Sequence, residues 1–409
     1  MKSSISTISV IGLGHVGLPT AVLLADSGFC VFGMDVNREY VRSLVDQKTK
    51  ISEKDFLKKF KKVTNAQSLQ FFNSVQKAQA YIIAVPTPIH KSSNGADLSM
   101  VENAIHNIAL NMEAGSLIII ESTSPIGVTA HAIDMISVMR PDLVKDGKPL
   151  FKIAYCPERV LPGNLIKELT LNDRVIGGYD DKSTKLAQSI YASFCKGKLM
   201  ATSSKVAEAV KLVENSFRDV NLAFANEIDL LLGEKSISSK EVYDLANHHP
   251  RVNILNSGVG VGGHCIPIDP YFLIESSKAH SSILSLSRII NDSIPSKRAD
   301  QIYKILKQKQ HKKICFLGLT YKPDVHDFRE SPALELLSKF TKKRSLNISV
   351  YDPFLNSKNS SFLHSKFTLL EKAPSSKSFD CIIVLVDHSD FQVLYKNFKN
   401  SSTQLLKFF

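Results

Sequence analysis

The residues best equipped for chemistry lie in the stretch GVGVGGHCIPIDP, Gly258 to Pro270, where one cysteine, Cys265, follows a run of glycines and precedes Asp269 by four residues. A cysteine kept for packing needs no such setting, because a small hydrophobe is served equally well by an ordinary strand. The glycines imply that something approaches this backbone closely. A thiolate at Cys265 attacks a carbonyl carbon, and the resulting thiohemiacetal can give up a hydride and become a thioester. That sequence takes an aldehyde to an acid without releasing it. The other five cysteines, Cys30, Cys156, Cys195, Cys315 and Cys381, form no CxxC pair and show no metal-ligand spacing, so they read as free structural thiols and no metal is expected.

Two further groupings carry chemical content. Lys211, Asn215 and Arg218 recur at four and three residues and share one face of a helical segment. A lysine there can stabilise a developing alkoxide, or act as acid or base once its pKa is lowered. Near the amino terminus, Gly12-x-Gly14-x-x-Gly17 directly follows a strand and encloses His15 and Val16. Gly12 permits the tight turn, Gly14 lets a pyrophosphate approach the backbone, and Gly17 lets the next helix pack on the strand. Asp35, at the end of the second strand, can accept ribose hydroxyls and would repel a 2′-phosphate, which favours NAD over NADP. Arg38 reads either as a phosphate contact or as an exposed charge on the following helix.

These residues need elements to hold them. Val- and Ile-rich runs alternate with amphipathic segments through the first part of the chain: ISVIG, CVFGMD, AYIIAVP, SLIIIEST, FKIAYCP and RVIGG are strand candidates of a parallel sheet with helices on both faces. From Ser203 to Leu232 a helical period runs without Pro, and Val206, Val210, Val213, Phe217, Val220, Phe224 and Ile228 form an apolar stripe able to join domains or pair with a second subunit. After Lys312 the alternation returns with KICFLGL, a helix over Ser331–Phe340, NISVYDP and DCIIVLVD. There GLTYKPD stands where the glycine fingerprint would be, so this copy cannot admit a dinucleotide in the same way, and Lys322 is placed to meet a phosphate. The expected architecture is α/β: two doubly wound Rossmann-like parallel-sheet domains, residues 1–200 and 301–409, joined by a helical central domain, 201–300, with a long helix.

The ordered motifs GLGHVGLPTA, AVPTP, ESTSPIG, YCPERVLPG, KLVENSFRDVNLAFANE, NHHPRVNILNSGVGVGGHCIPIDP and GLTYKPDVHDFRESPA resemble those of the nucleotide-sugar 6-dehydrogenases from Ile8 to about Ser389. Members of that family oxidise the C6 alcohol of a nucleotide sugar to a carboxylate with NAD. The resemblance implies Cys265 as nucleophile, Lys211 as acid/base or alkoxide stabiliser with Asn215 beside it, Asp269 and Thr123 around a water, and Glu158 as a further candidate base. It implies Thr87, Thr123 and Arg329 at the NAD, and Glu158, Arg159, Val160, Arg218, His249, Arg251, Asn253, Gly262 and Lys322 around a UDP-sugar. It also implies a homodimer or larger assembly built on the long helix, with Arg251 reaching a neighbouring site. YCPERVLPG, ENSFRDVN and HPRVN look most like members acting on UDP-N-acetyl-D-mannosamine, with UDP-N-acetylglucosamine or UDP-glucose as alternatives. Arg159 and His249 are candidates for contacting the N-acetyl carbonyl. Two departures stand out: LNSGVGVGG replaces the family's Pro-Gly-Pro turn, implying a looser loop, and NSSTQLLKFF lacks the usual final strand.

Composition narrows the remaining classes. With 409 residues, 44% hydrophobic and 22% charged, the chain reads as a multidomain globular protein. It carries no run of ~18 apolar residues and no cleavage pattern, so no membrane role and a cytoplasmic location are expected. The net charge of +12 suggests a negative partner, but the lysines are dispersed, and a basic surface attracting a phosphorylated small molecule is a better reading than nucleic acid. A regulatory protein that binds NAD and UDP-sugar without turnover is the alternative from another class.

Overall fold

The structure is a computed structural model that describes residues 5–90, 95–160, 163–343, 345–375, 378–398 and 403–409. Leu161 and Pro162 of the YCPERVLPG motif lie outside the described residues, as do Asn400 to Ser402 of the carboxyl-terminal segment. The chain forms two compact units: residues 1–214 with 271–277, and residues 215–270 with 278–409. Among the described residues, no helix is long and apolar enough to cross a membrane.

The first unit is built on strands β1 (Thr7–Ile11), β2 (Cys30–Met34), β3 (Leu69–Phe72), β4 (Ala80–Ile83) and β5 (Leu117–Ile120). A short hairpin, β6 (Val144–Lys145) and β7 (Lys148–Pro149), precedes β8 (Lys152–Tyr155), β9 (Arg174–Gly178) and β10 (Leu199–Ser203). The eight-stranded sheet runs β10-β9-β8-β5-β4-β1-β2-β3. Every residue of β4 and β5 is buried, because helices cover both faces, and continuous Ile-rich runs rather than alternation result. The sheet is not wholly parallel as expected: β8 and β9 pair antiparallel. The pattern also passes over β3 and β10. Their mixed LQFF and LMATS sequences sit at the two sheet edges, where half of each strand is solvated and apolar content drops.

The expected long helix spans Ser204–Glu234. Its first turns pack in the first unit, where the buried Glu208 carboxylate accepts the amides of Gly127 at 2.7 Å and Thr129 at 3.0 Å, together with the Thr129 hydroxyl. These are orphan donors at the start of helix Val128–Met139, so one helix supplies the cap of another. Much of the apolar stripe faces outward: Val206, Val213, Phe217 and Phe224 are exposed and Val210, Val220 and Ile228 half-buried, whereas Leu212, Asn215, Ser216, Asp219, Ala223 and Asn226 are buried. The polar residues Asp219 and Asn226 of the buried side meet helix Ser282–Gln308: Arg288 pairs with Asp219 at 2.5 Å, Asn291 donates to Asp219 at 2.8 Å, and Asn226 donates to Asn291 at 3.1 Å.

In the second unit a five-stranded parallel sheet runs β13-β12-β11-β14-β15, with β11 (Lys313–Leu317), β12 (Asn347–Tyr351), β13 (Thr368–Leu369), β14 (Cys381–Val384) and β15 (Gln404–Lys407). The carboxyl-terminal segment thus does supply the edge strand expected to be missing: Leu405 and Leu406 pair in register with Ile382 and Ile383. Its short QLLK run, among Ser and Asn, is too brief to stand out as a strand in isolation.

Glu208→Ala should lower stability by about 3 kcal/mol, since it strips a buried carboxylate from three donors, with Glu208→Gln costing less. Denaturant unfolding followed by circular dichroism measures both, and an unchanged midpoint in the alanine variant would contradict the cap.

Candidate active site

The loop after β1 has the geometry the glycines require. Gly12 adopts φ +90°, and a Cβ there would meet Ala84 O at 2.6 Å; a Cβ on Gly17 would lie 1.9 Å from Gly12 O. At Gly14, by contrast, a Cβ would meet nothing within 4 Å, so the loop is open on the side where a pyrophosphate approaches. Asp35 Oδ2 accepts the Leu13 amide at 3.1 Å and Oδ1 the Asn37 amide at 2.9 Å, so the acid also braces the turn. Tyr40 donates to Leu13 O at 2.9 Å, and burial, then the Asp35 charge, push its phenol up to about 12. His15 is exposed and Val16 half-buried. Arg38 opens helix Arg38–Val45 as an exposed charge.

β1 and β4 are neighbours at the point where strand order reverses, which is where open α/β sheets bind ligands. Thr87 and Thr123 follow the ends of β4 and β5. Tyr155, which sequence reasoning did not single out, brackets Thr123: its hydroxyl donates to Ser122 O at 3.0 Å and accepts the Ser124 amide at 3.2 Å. Ser122 in turn donates to Val85 O at 2.7 Å and ties the two loops together. A Tyr in an ordinary strand run carries no sequence signal for such a role.

Glu158 is held from two sides. Its Oε1 accepts the Arg159 amide at 2.6 Å and its Oε2 the buried Arg174 guanidinium at 3.1 Å. Arg174 also lies 3.8 Å from Glu121 and stacks on Tyr191. Burial pushes Glu121 up to about 7, against the pull of Arg174. Arg159 is committed to Glu214, with Nε at 3.1 Å, and to Asp173 O. Val160 packs on the core.

The second unit collects Cys265, Asp269 and Asn215. The Asp269 amide donates to Cys265 O at 2.9 Å and the Ile268 amide to the same oxygen at 3.0 Å, so Cys265 sits on the turn that leads into helix Asp269–Ser276. Asn215, on the long helix, donates to buried Asp269 Oδ2. Lys211 lies one turn earlier on the same helix and Arg218 is exposed. The glycines before Cys265 prove to serve the chain's own packing. A Cβ on Gly262 would meet Pro332 Cδ at 2.5 Å and Glu330 O at 2.6 Å, on Gly260 Pro332 Cβ at 2.9 Å, and on Gly263 the Tyr321 ring at 2.9 Å. The loop expected to be loose is therefore closely backed. Burial, then the charges of Asp327 and Cys265, raise the Tyr321 phenol. Arg329 is paired with Asp327 at 2.6 Å. His249, Arg251 and Asn253 are exposed on a loop clamped by Asn247, whose side chain bonds Ile254 N at 2.6 Å and Ile254 O at 3.0 Å. Lys322 is half-buried.

Three models of the UDP-glucose/GDP-mannose dehydrogenase family match in order: the NAD binding domain over residues 6–195, the central domain over 205–293 and the UDP binding domain over 315–406. The chain belongs to this family. It is an NAD-dependent oxidoreductase of UDP-sugars, and the open Gly14 turn with Asp35 beyond it fits that cofactor. The UDP-N-acetyl-D-mannosamine dehydrogenase of Methanococcus aeolicus is 42% identical over 402 residues, 97% of this chain and 87% of that one. The protein of the same name from Escherichia coli K12 is 39% identical over 96% of each chain. The solved UDP-D-ManNAc dehydrogenase of Pyrococcus horikoshii superposes with a TM-score of 0.87 at 34% identity, covering 98% of this chain and 95% of that one.

Of the six cysteines in this family member, Cys265 is exposed, Cys30 half-buried and the others buried. Burial pushes the thiols of Cys156 and Cys381 up to about 12 and raises that of Cys315. Iodoacetamide near neutral pH should label Cys265 first in the native protein. Peptide mapping that found Cys156, Cys315 or Cys381 labelled ahead of it would contradict the placement.

Proposed function

We propose that this enzyme takes UDP-N-acetyl-D-mannosamine to UDP-N-acetyl-D-mannosaminuronate by oxidation at C6 through a covalent intermediate on Cys265. The observation that carries the mechanism is the exposed Cys265 one turn before buried Asp269, which Asn215 of the long helix holds in place. The sugar assignment rests on the names of relatives sharing 39 to 42% identity over nearly the whole chain.

Gly12, Gly14, Gly17 and Asp35 would hold NAD, with Thr87, Thr123 and Arg329 at its border, and the bound cofactor would serve as hydride acceptor, one NAD for each of the two oxidations. Lys211 stabilises the C6 alkoxide as the alcohol loses its proton. The Cys265 thiolate attacks the C6 aldehyde, forming the C–S bond of a thiohemiacetal, whose oxidation leaves a thioester. Asp269 holds the water that breaks the C–S bond, and the thiol leaves. Glu158 has both oxygens engaged by Arg159 N and Arg174, which suits a fixed contact to the sugar or its water better than a swinging base. With Arg159 taken up by Glu214, exposed His249 is the remaining candidate for the N-acetyl carbonyl, in company with Arg218, Arg251, Asn253, Gly262 and Lys322 around the UDP-sugar. The product, an activated aminouronic acid, suits a glycosyltransferase building a surface polysaccharide.

We further propose a homodimer. Phe217, Phe224 and Leu231 recur every seven residues along the outer face of the long helix at 67%, 50% and 52% exposure, a seam suited to a second copy. Phe217→Asp with Phe224→Asp should shift sedimentation from dimer to monomer; a wild-type monomer would remove this part of the proposal.

With limiting UDP-N-acetyl-D-mannosamine, about two NADH should form per sugar, and Cys265→Ala should lower turnover on the order of 10³-fold or more. A preference for UDP-N-acetylglucosamine or UDP-glucose would move the substrate and leave the chemistry. No NADH from any of the three would support the non-catalytic reading.

A further inference from the structure

The two Rossmann-like sheets repeat one hydrogen-bonding scheme at their first strand-to-helix turn. After β1, Gly12 N donates to Met34 O at 2.8 Å, Leu13 N to Asp35 Oδ2 and Asn37 N to Asp35 Oδ1. After β11, Gly318 N donates to Tyr351 O at 3.0 Å, Leu319 N to Asp352 Oδ2 at 2.6 Å and Phe354 N to Asp352 Oδ1 at 2.9 Å. Gly12 and Gly318 share a positive φ, +90° and +79°. The copies part at the acid. Asp35 is half-exposed, whereas Asp352 is 1% exposed and covered by His388, itself 1% exposed, whose Nε2 lies 3.1 Å from Asp352 Oδ2. Burial works to raise the Asp352 carboxyl, but the bonds from His388, Leu319 N and Phe354 N outweigh it and hold it below the usual carboxylate value.

The His388 ring is fixed in one tautomer. The Asp324 amide donates to Nδ1 at 2.9 Å, so the lone pair is there and the proton sits on Nε2, facing Asp352. Thr320 Oγ1 lies 3.2 Å from the same Nε2 and donates to Lys322 O at 2.9 Å. Asp324, at φ +58°, is held again by Ser389, whose amide donates to its Oδ1 at 2.9 Å. The backbone of Lys322 is thus secured two residues before and two residues after, and both fastenings converge on one imidazole.

We propose that His388, seated on Asp352, is a positioning residue that sets the Lys322 loop for the UDP phosphates. It rests on the reading of Lys322 as a UDP-sugar contact. His388 touches no reacting atom; its effect passes through Thr320 and Asp324 to the lysine.

The test is calorimetric titration of the full-length protein with UDP, and with NAD⁺ in parallel, for His388→Ala, His388→Gln, Thr320→Val, Lys322→Ala and the doubles with Lys322→Ala. His388→Ala should weaken UDP about tenfold and the same-shaped Thr320→Val about threefold, with His388→Gln recovering part of the loss because it keeps a donor toward Asp352. NAD⁺ affinity should stay at the wild-type value, and KM for the nucleotide sugar should rise with kcat little changed. Each double should bind UDP no more weakly than Lys322→Ala alone, since nothing then remains to be positioned. Additive losses, or wild-type UDP affinity in Thr320→Val and His388→Ala while Lys322→Ala is impaired, overturn the positioning role alone. Wild-type UDP affinity in Lys322→Ala overturns the reading of that lysine and the positioning role with it. Because Thr320→Val alters no shape, it decides the matter even where the His388 variants fold poorly.

Discussion

The constraint on which the second unit depends is the absence of side chains at Gly260, Gly262 and Gly263. Pro332, Glu330 and Tyr321 approach these positions to distances that no Cβ tolerates, so the strand-to-helix segment after β11 lies directly against the loop that ends at Cys265. Dense contact of this kind transmits position, because packed backbone has no room to drift. Cys265 is therefore located by the nucleotide-binding fold behind it as much as by its own turn, and Asp269 and Asn215 complete the support from the helical side.

The long helix reverses the usual rule for an amphipathic segment. Its inward face carries Asp219, Asn215, Asn226 and, in the first unit, Glu208, each hydrogen-bonded, Asp219 through Oδ1 alone, while Phe217 and Phe224 look outward. Burying charge is costly unless it is paired or hydrogen-bonded; Asp219 is paired with Arg288 and bonded by Asn291, and Glu208 is bonded by the amides of a helix start. Such partners are directional where hydrophobic contacts are not. They fix the rotation of the helix about its own axis, and with it the direction in which Asn215 points. An outward aromatic seam is what remains when the core side has been given to polar work.

The two copies of the Rossmann turn share one hydrogen-bonding scheme and part at the acid. The backbone donors, the positive-φ glycine and the acid at the end of the second strand recur, yet the first copy leaves its acid half-open to solvent and the other seals it beneath His388. A sealed carboxylate cannot accept ribose hydroxyls, and its stored charge instead orders a loop. The divergence lies in a residue some seventy positions further along the chain than the glycine turn whose acid it covers.

Several features of this protein are local enough to be legible in its sequence. The glycine fingerprint with Asp35, the buried Ile-rich strands, the extent of the long helix and the singular setting of Cys265 all express short-range rules of turn geometry, periodicity and composition. Tertiary structure decided the rest. The antiparallel β8–β9 pair, the edge strands β3, β10 and β15, and the outward stripe depend on which neighbour an element meets, which propensity does not encode. Tyr155 at Thr123, Glu208 at a distant helix start and His388 at the Lys322 loop join residues far apart in the chain, and only folding brings their donors and acceptors within hydrogen-bond reach.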